Sequence, residues 1–85
     1  MLIHSPKELA LIVTSRRKEL NLSQAEVANL VGLKQQTVSQ FEIKPESTKL
    51  GTLFQILSAV GLDINTLAKD HQILEVRETG WKEEW

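Results

Sequence analysis

The stretch from Gln24 to Glu42 restricts the fold of this chain more than any other. Ser23-Gln24-Ala25-Glu26 reads as a capping box, in which the serine side chain and the glutamate three residues later satisfy the free backbone groups of a helix start. The helix it opens carries Val27, Leu30 and Val31 on one face, and Gly32 stops it. A second short helix runs from about Lys34 to Glu42 and buries Val38 and Phe41. Ala28 is small where two helix backbones would approach closely, and Gly32 sits where a tight turn needs positive φ. Val27, Val31, Leu33, Val38 and Phe41 are apolar where such a pair packs on its neighbours. A generic bundle would match all seven positions at these spacings only by chance.

Those constraints describe a helix-turn-helix, two short helices crossing at about 90–120° around a tight turn. Its flanks are helical too. Ser5-Pro6-Lys7-Glu8 combines a capping serine, a proline fit for the first helical position and a capping-box glutamate. Leu9, Ile12, Val13 and Leu20 follow at helical spacing, with Arg16, Arg17 and Lys18 on the other side, up to Leu20-Asn21. Lys44-Pro45-Glu46 reads as a loop, because proline biases the residue before it away from helix. Ser47 or Thr48 is expected to cap a fourth helix with Leu50, Leu53, Phe54, Ile56, Leu57 and Val60 as its apolar set, closed by Gly61. The fold class is therefore mainly α, a bundle of four to five helices built on the helix-turn-helix.

Beyond Gly61 the period changes. Leu62, Ile64 and Thr66 alternate with Asp63 and Asn65, which predicts a short strand. One strand of this length cannot satisfy its own backbone groups, and the same strand of a second copy is the cheapest partner. The expected organisation is a helix-turn-helix domain over residues 1–67, with its dimerising strand at about 62–67, and an acidic, partly flexible tail over residues 68–85. In the tail Ile73, Leu74 and Val76 could form either a strand or part of a helix.

Composition narrows the class. At 85 residues, 41% hydrophobic and 25% charged, the chain is sized for one ordinary domain, and a core this small gains from oligomerisation. Cysteine is absent, so neither a disulfide framework nor a thiolate zinc site is available. No metal or cofactor is expected. The start has no signal-peptide pattern and no apolar run approaches a membrane span, which points to the cytoplasm. Net charge is −1, but residues 1–60 carry seven Lys/Arg against five Glu, and residues 61–85 carry three against six Asp/Glu. A mildly basic globular part precedes an acidic tail, so nucleic-acid binding would lean on geometry as well as on charge.

The outer side of the third helix carries the functional signal. Lys34, Gln35, Gln36, Thr37, Ser39 and Gln40 are hydrogen-bonding residues with little charge, whereas a solvated face usually mixes Glu with Lys. Gln pairs bidentately with adenine in the major groove, and Ser or Thr suits several bases or the thymine methyl. Gln35, Gln36, Ser39 and Gln40 are the candidates for base edges, with Lys34 for a base or phosphate. Phosphate contacts are expected from Ser23 and Gln24 at a helix N-terminus, and from Arg17, Thr37 and Lys49.

Leu22 to Ala28, Gly32 to Glu42 and Thr52 to Leu57 resemble the Xre or lambda-repressor-like helix-turn-helix family, over about residues 5 to 61. The resemblance implies symmetric dimers on palindromic double-stranded operators. A narrower likeness is to the HipB-type antitoxins of HipA-like serine/threonine kinase toxins. It rests on the Ser5-Pro6 start, on Lys34-Gln35, Thr37, Ser39 and Phe41-Glu42, on a strand directly after the fourth helix, and on the terminal Glu84-Trp85. Gln36, Gln40 and residues 68–82 depart from it. It implies strand pairing across the dimer at Leu62, Ile64 and Thr66, autorepression of a toxin operon, and a kinase partner contacted through Glu84 and Trp85. Physically, Trp81 and Trp85 are costly to expose, and tryptophan is enriched at binding hot spots.

No catalytic constellation stands out, so no enzyme activity is expected. His4 and His71 lie far apart, and Glu42 and Glu46 read as solvated or capping charges. An operator-specific repressor and a module that neutralises a partner kinase are the two functional readings, and an antitoxin would be both. A stand-alone Xre-type dimeric repressor is the alternative.

Overall fold

The computed structural model describes residues 2–69. It has four α-helices and one short 3₁₀ turn: α1 (Pro6–Glu19), α2 (Gln24–Leu30), α3 (Gln35–Ile43), the turn Pro45–Ser47, and α4 (Leu50–Ala59). Among the described residues no helix is long and apolar enough to cross a membrane.

Local chemistry sets the helix ends. The Ser5 hydroxyl accepts the Glu8 N–H at 3.1 Å, and Pro6 occupies the first turn of α1. At the other end Asn21 adopts φ 58°, a conformation that asparagine tolerates better than most residues. The N–H of Leu22 then donates to the Arg17 carbonyl, and that of Asn21 to Lys18. Two glycines play the same part later. Gly32 (φ 72°) turns the chain between α2 and α3, where the Leu33 N–H donates to the Ala28 carbonyl at 2.8 Å. Gly61 (φ 70°) ends α4, where the Leu62 N–H donates to Leu57. Asn21 and Gly61 thus carry the paired backbone bonds of helix C-termini closed by a left-handed residue, and Gly32 carries the longer bond of that pair.

The core contains Ala10, Val13, Val27, Ala28, Val38, Phe41, Ile56, Leu57 and Val60, drawn from all four helices. Leu9, Leu22, Leu33, Leu53, Ala59 and Leu62 pack around it. Ala28 lies fully inside, as the close approach of α2 and α3 requires. Arg16 ties the two ends of the domain together: its Nε donates to the Val60 carbonyl at 3.0 Å, joining α1 to the end of α4.

Several sequence expectations need correction. Ser47 and Thr48 do not cap α4. They lie in or just after the 3₁₀ turn, which buries Pro45, and Lys49 takes the cap position with no side-chain hydrogen bond. The loop expected at Lys44-Pro45-Glu46 is therefore partly helical. Leu30, Leu50 and Phe54, expected on apolar faces, are more than half exposed, while Ala10 supplies core packing in α1. Residues 62–69 carry no regular secondary structure in the single chain. The tail readings at Ile73, Leu74, Val76, Trp81, Glu84 and Trp85 fall outside the described residues.

Candidate nucleic-acid interface

α3 is divided lengthwise. Val38 and Phe41 are buried against the core, and Gln35, Gln36 and Gln40 are exposed on the other side, with Ser39 and Thr37 half-buried beside them. Lys34, fully outside, caps the helix with its backbone alone. Five of the residues expected at base edges are thus gathered on one ridge.

Next to this ridge runs an open groove. Gln36, Thr37 and Gln40 line it from α3, and Ser47, Thr48, Lys49 and Thr52 line it from the turn and the start of α4. The expected phosphate ligands Thr37 and Lys49 therefore face one groove. Ser47, Thr48 and Thr52 line the same groove and were not among the residues expected there. The signal available in the sequence was the pair of hydroxyls at Thr48 and Thr52, which bracket Lys49 and the start of α4.

The helix N-termini differ in a way that matters for anions. α1 and α2 are closed by their own serines, and in α2 the box is complete: Ser23 Oγ accepts the Glu26 N–H at 3.0 Å, and the Glu26 carboxylate accepts the Ser23 N–H at 2.8 Å. α3 and α4 have no side-chain cap, and each begins with a lysine. Their first N–H groups, with the positive end of the helix dipole, remain open to a negative ligand. Ser23, expected with Gln24 at phosphate through the N–H groups of the α2 start, also caps that helix with its hydroxyl.

Three further expectations change. Arg17 does not extend outward as a free cation. Its Nε donates to Glu42 Oε2 at 2.7 Å, its Nη2 to Glu42 Oε1 at 3.1 Å, and its Nη1 to the Leu22 carbonyl at 2.9 Å. The side chains of Arg17 and Glu42 are only 12% and 9% exposed. Glu42, read from sequence as a solvated charge, is the partner that holds this two-pronged pair. The linkage continues outward. Gln24 Nε2 donates to Glu42 Oε1 at 2.9 Å, and Gln35 Nε2 donates to Gln24 Oε1 at 2.6 Å. A polar chain thus leads from α1 through the end of α3 and the start of α2 to the first residue on the exposed α3 ridge. Gln24 sits inside that chain rather than standing free at a helix start.

Among the described residues no group of three or more His, Cys, Asp or Glu gathers to hold a metal ion, and no buried side-chain polar atom lacks a hydrogen-bond partner. What stands out is an exposed hydrogen-bonding ridge beside a groove with two open helix starts.

The profile of the HTH_3 family, described as helix-turn-helix, matches residues 14–67. The chain belongs to this helix-turn-helix family. Family membership makes it a DNA-binding regulator rather than an enzyme. Antitoxin HipB of Escherichia coli O6:H1 (strain CFT073) is 39% identical over 62 residues, covering 73% of this chain and 66% of that protein. HipB of E. coli K12 is equally identical over a match covering 70% of its length. Among solved structures, the HipB-O4 20mer complex superposes with a TM-score of 0.78 at 35% identity, covering 80% of this chain and 96% of that one. The HipA-HipB-O2-O3 complex gives 0.79 at 35% identity, covering 81% and 97%. Both likenesses extend across the helix-turn-helix and the helices that frame it, so the family's fold is this chain's fold.

Proposed function

We propose that this protein is a dimeric, operator-specific transcriptional repressor that serves as the antitoxin of a HipA-like serine/threonine kinase toxin and represses its own operon. The observation that carries the DNA part is the α3 ridge beside the groove that two open helix starts share. Lys34, Gln35, Gln36, Ser39 and Gln40 read base edges in the major groove. Thr37 and Lys49 hold phosphates, joined by the Ser47 and Thr48 hydroxyls and the free N–H groups of α4. Ser23 and Gln24 approach the backbone at the α2 start, where the capping box takes up the Ser23 and Glu26 N–H groups and leaves those of Gln24 and Ala25 for phosphate, and Arg17 supports the α3 ridge from behind through Glu42. The HipB relatives, solved with operator DNA and with HipA, support this reading.

A dimer on a palindromic operator places two copies of α3 in successive major grooves on one face of the duplex. Residues 62–67 form the dimer contact, with Leu62, Ile64 and Thr66 of the two copies pairing as strands. Pairing would satisfy backbone groups that a single chain leaves open. The protein works in the cytoplasm on nucleoid DNA. Glu84 and Trp85 contact the kinase.

The test joins two measurements on the full chain. Footprinting should show protection of a palindrome upstream of its own gene. Changing Gln35 and Gln40 together to Ala should abolish the footprint without changing partner capture. Affinity capture from the native host should recover a kinase-like protein, and omission of Trp85 should weaken that capture while leaving the footprint intact. A footprint with no kinase would reduce the protein to a stand-alone dimeric repressor, and no footprint would remove the DNA reading altogether.

A further inference from the structure

Of the described large apolar side chains Ile43 is the most exposed, at 78%. It takes no part in the core cluster or in the side chains packed around it. Its place on α3 is what makes it informative. Gln36, Gln40 and Ile43 recur at intervals of four and three, so they share one helix side, opposite the buried Val38 and Phe41. The apolar residue thus extends the same ridge that presents the glutamines.

Exposing a branched aliphatic side chain at a helix end gains nothing for an isolated domain, and its neighbours Lys44 and Glu46 are charged, as a solvated helix end would be. Ile43 is also stiff, because two heavy atoms on Cβ restrict its χ1. It therefore presents an apolar knob at little entropic cost. In the major groove the apolar feature on a base edge is the C5-methyl of thymine.

We propose that Ile43 is a specificity-determining residue of the operator contact, packing on a thymine C5-methyl beyond the bases read by Gln36 and Gln40. The inference rests on the reading of α3 as the recognition helix. It adds a residue that hydrogen-bonding logic passes over, and it fixes the partner chemistry. At ~1.5 Å rise per residue, Ile43 lies roughly 10 Å along α3 from Gln36. With base pairs about 3.4 Å apart, the thymine falls within about three base pairs of the base at Gln36.

The experiment begins by selecting an operator from a random duplex library with the full-length protein. Each thymine of the selected site is then replaced singly by deoxyuridine, which removes the methyl and keeps every hydrogen-bonding group. Binding is measured for the wild type, Ile43→Ala and Ile43→Val. Wild type should lose about 4-fold in affinity per half-site at one thymine, the factor that burial of one methyl-sized group supplies. Ile43→Ala should bind the thymine operator more weakly and show no further loss with deoxyuridine at that position. Ile43→Val should fall between the two. Melting temperatures should agree among the three proteins, since the side chain is outside the core. If every thymine-to-deoxyuridine effect is the same in wild type and Ile43→Ala, the proposal is overturned while the operator reading stands. If no operator is selected at all, that reading fails and the proposal falls with it.

Discussion

Glu42 shows how much a single side chain can be asked to do. It accepts both prongs of Arg17 and the amide of Gln24, and through Gln24 it reaches Gln35. Removing one partner of a nearly buried pair leaves the other charge uncompensated, which is costlier than the pair itself is favourable. Glu42→Ala should therefore lower unfolding stability by about 2–3 kcal/mol in urea titration, below the fully buried range because both side chains retain some contact with water. Asn21 offers the opposite sign. At φ 58° it occupies a position where glycine carries no Cβ penalty, and Asn21→Gly should raise the melting temperature slightly, by up to about 1 kcal/mol of stability. The two residues also differ in how readable they were. A turn at Leu20-Asn21 follows from the end of the apolar period, whereas nothing in the spacing of Arg17 and Glu42, 25 positions apart, announces that they meet. Tertiary charge pairing has no local period. That is why Arg17 looked like a phosphate ligand and Glu42 like a surface charge.

At the scale of the element, helix starts divide stability from function. α2 is closed by a reciprocal serine–glutamate box, and Ser23→Ala should cost about 1 kcal/mol in thermal or urea unfolding. α4 begins without such a cap at Lys49, beside the groove. Lys49→Asp would supply both the missing acceptor and a charge favourable to the dipole, so it should stabilise the fold by roughly 0.5–1 kcal/mol. The same change puts a carboxylate where phosphate is to bind, and operator affinity should collapse. A stabilised variant that still binds operator normally would remove the α4 start from the interface. The capping boxes were legible because their chemistry is local, and both α1 and α2 start where Ser5 and Ser23 predict. The start of α4 was not. A short 3₁₀ turn absorbs Pro45 to Ser47 and moves the helix on to Leu50, a shift that depends on Pro45 being buried. The helix-turn-helix itself was legible throughout, because Ala28, Gly32, Val38 and Phe41 each answer a steric demand of the crossing. Exposure of Leu30, Leu50 and Phe54 was not, because helical period gives a face without saying how far the neighbouring helices reach over it.

For the whole molecule, charge is thin where it is needed. With Arg17 paired to Glu42, Lys34 and Lys49 are the cations that stand on the reading side named above. On the proposed reading a dimer brings about four to the duplex, and the slope of log affinity against log salt should be only about −3 to −4. A slope near −8 would mean that other lysines and arginines of the chain join the contact. Binding of this kind depends on fit, and the fit of Gln35 is set from within by Gln24. That link has an evolutionary side. Gln36, Ser39, Gln40 and Ile43 lie outside the chain of hydrogen bonds that leads to Arg17. A duplicated gene could exchange them singly and drift toward a new operator with its architecture intact. Gln35 is not free in that way. On the proposed reading, any successor there must suit the amide of Gln24 as well as a base, so the two positions should change together or remain as they are. Divergence among sister repressors in one genome would then be quick along most of the recognition helix and held back at its first residue.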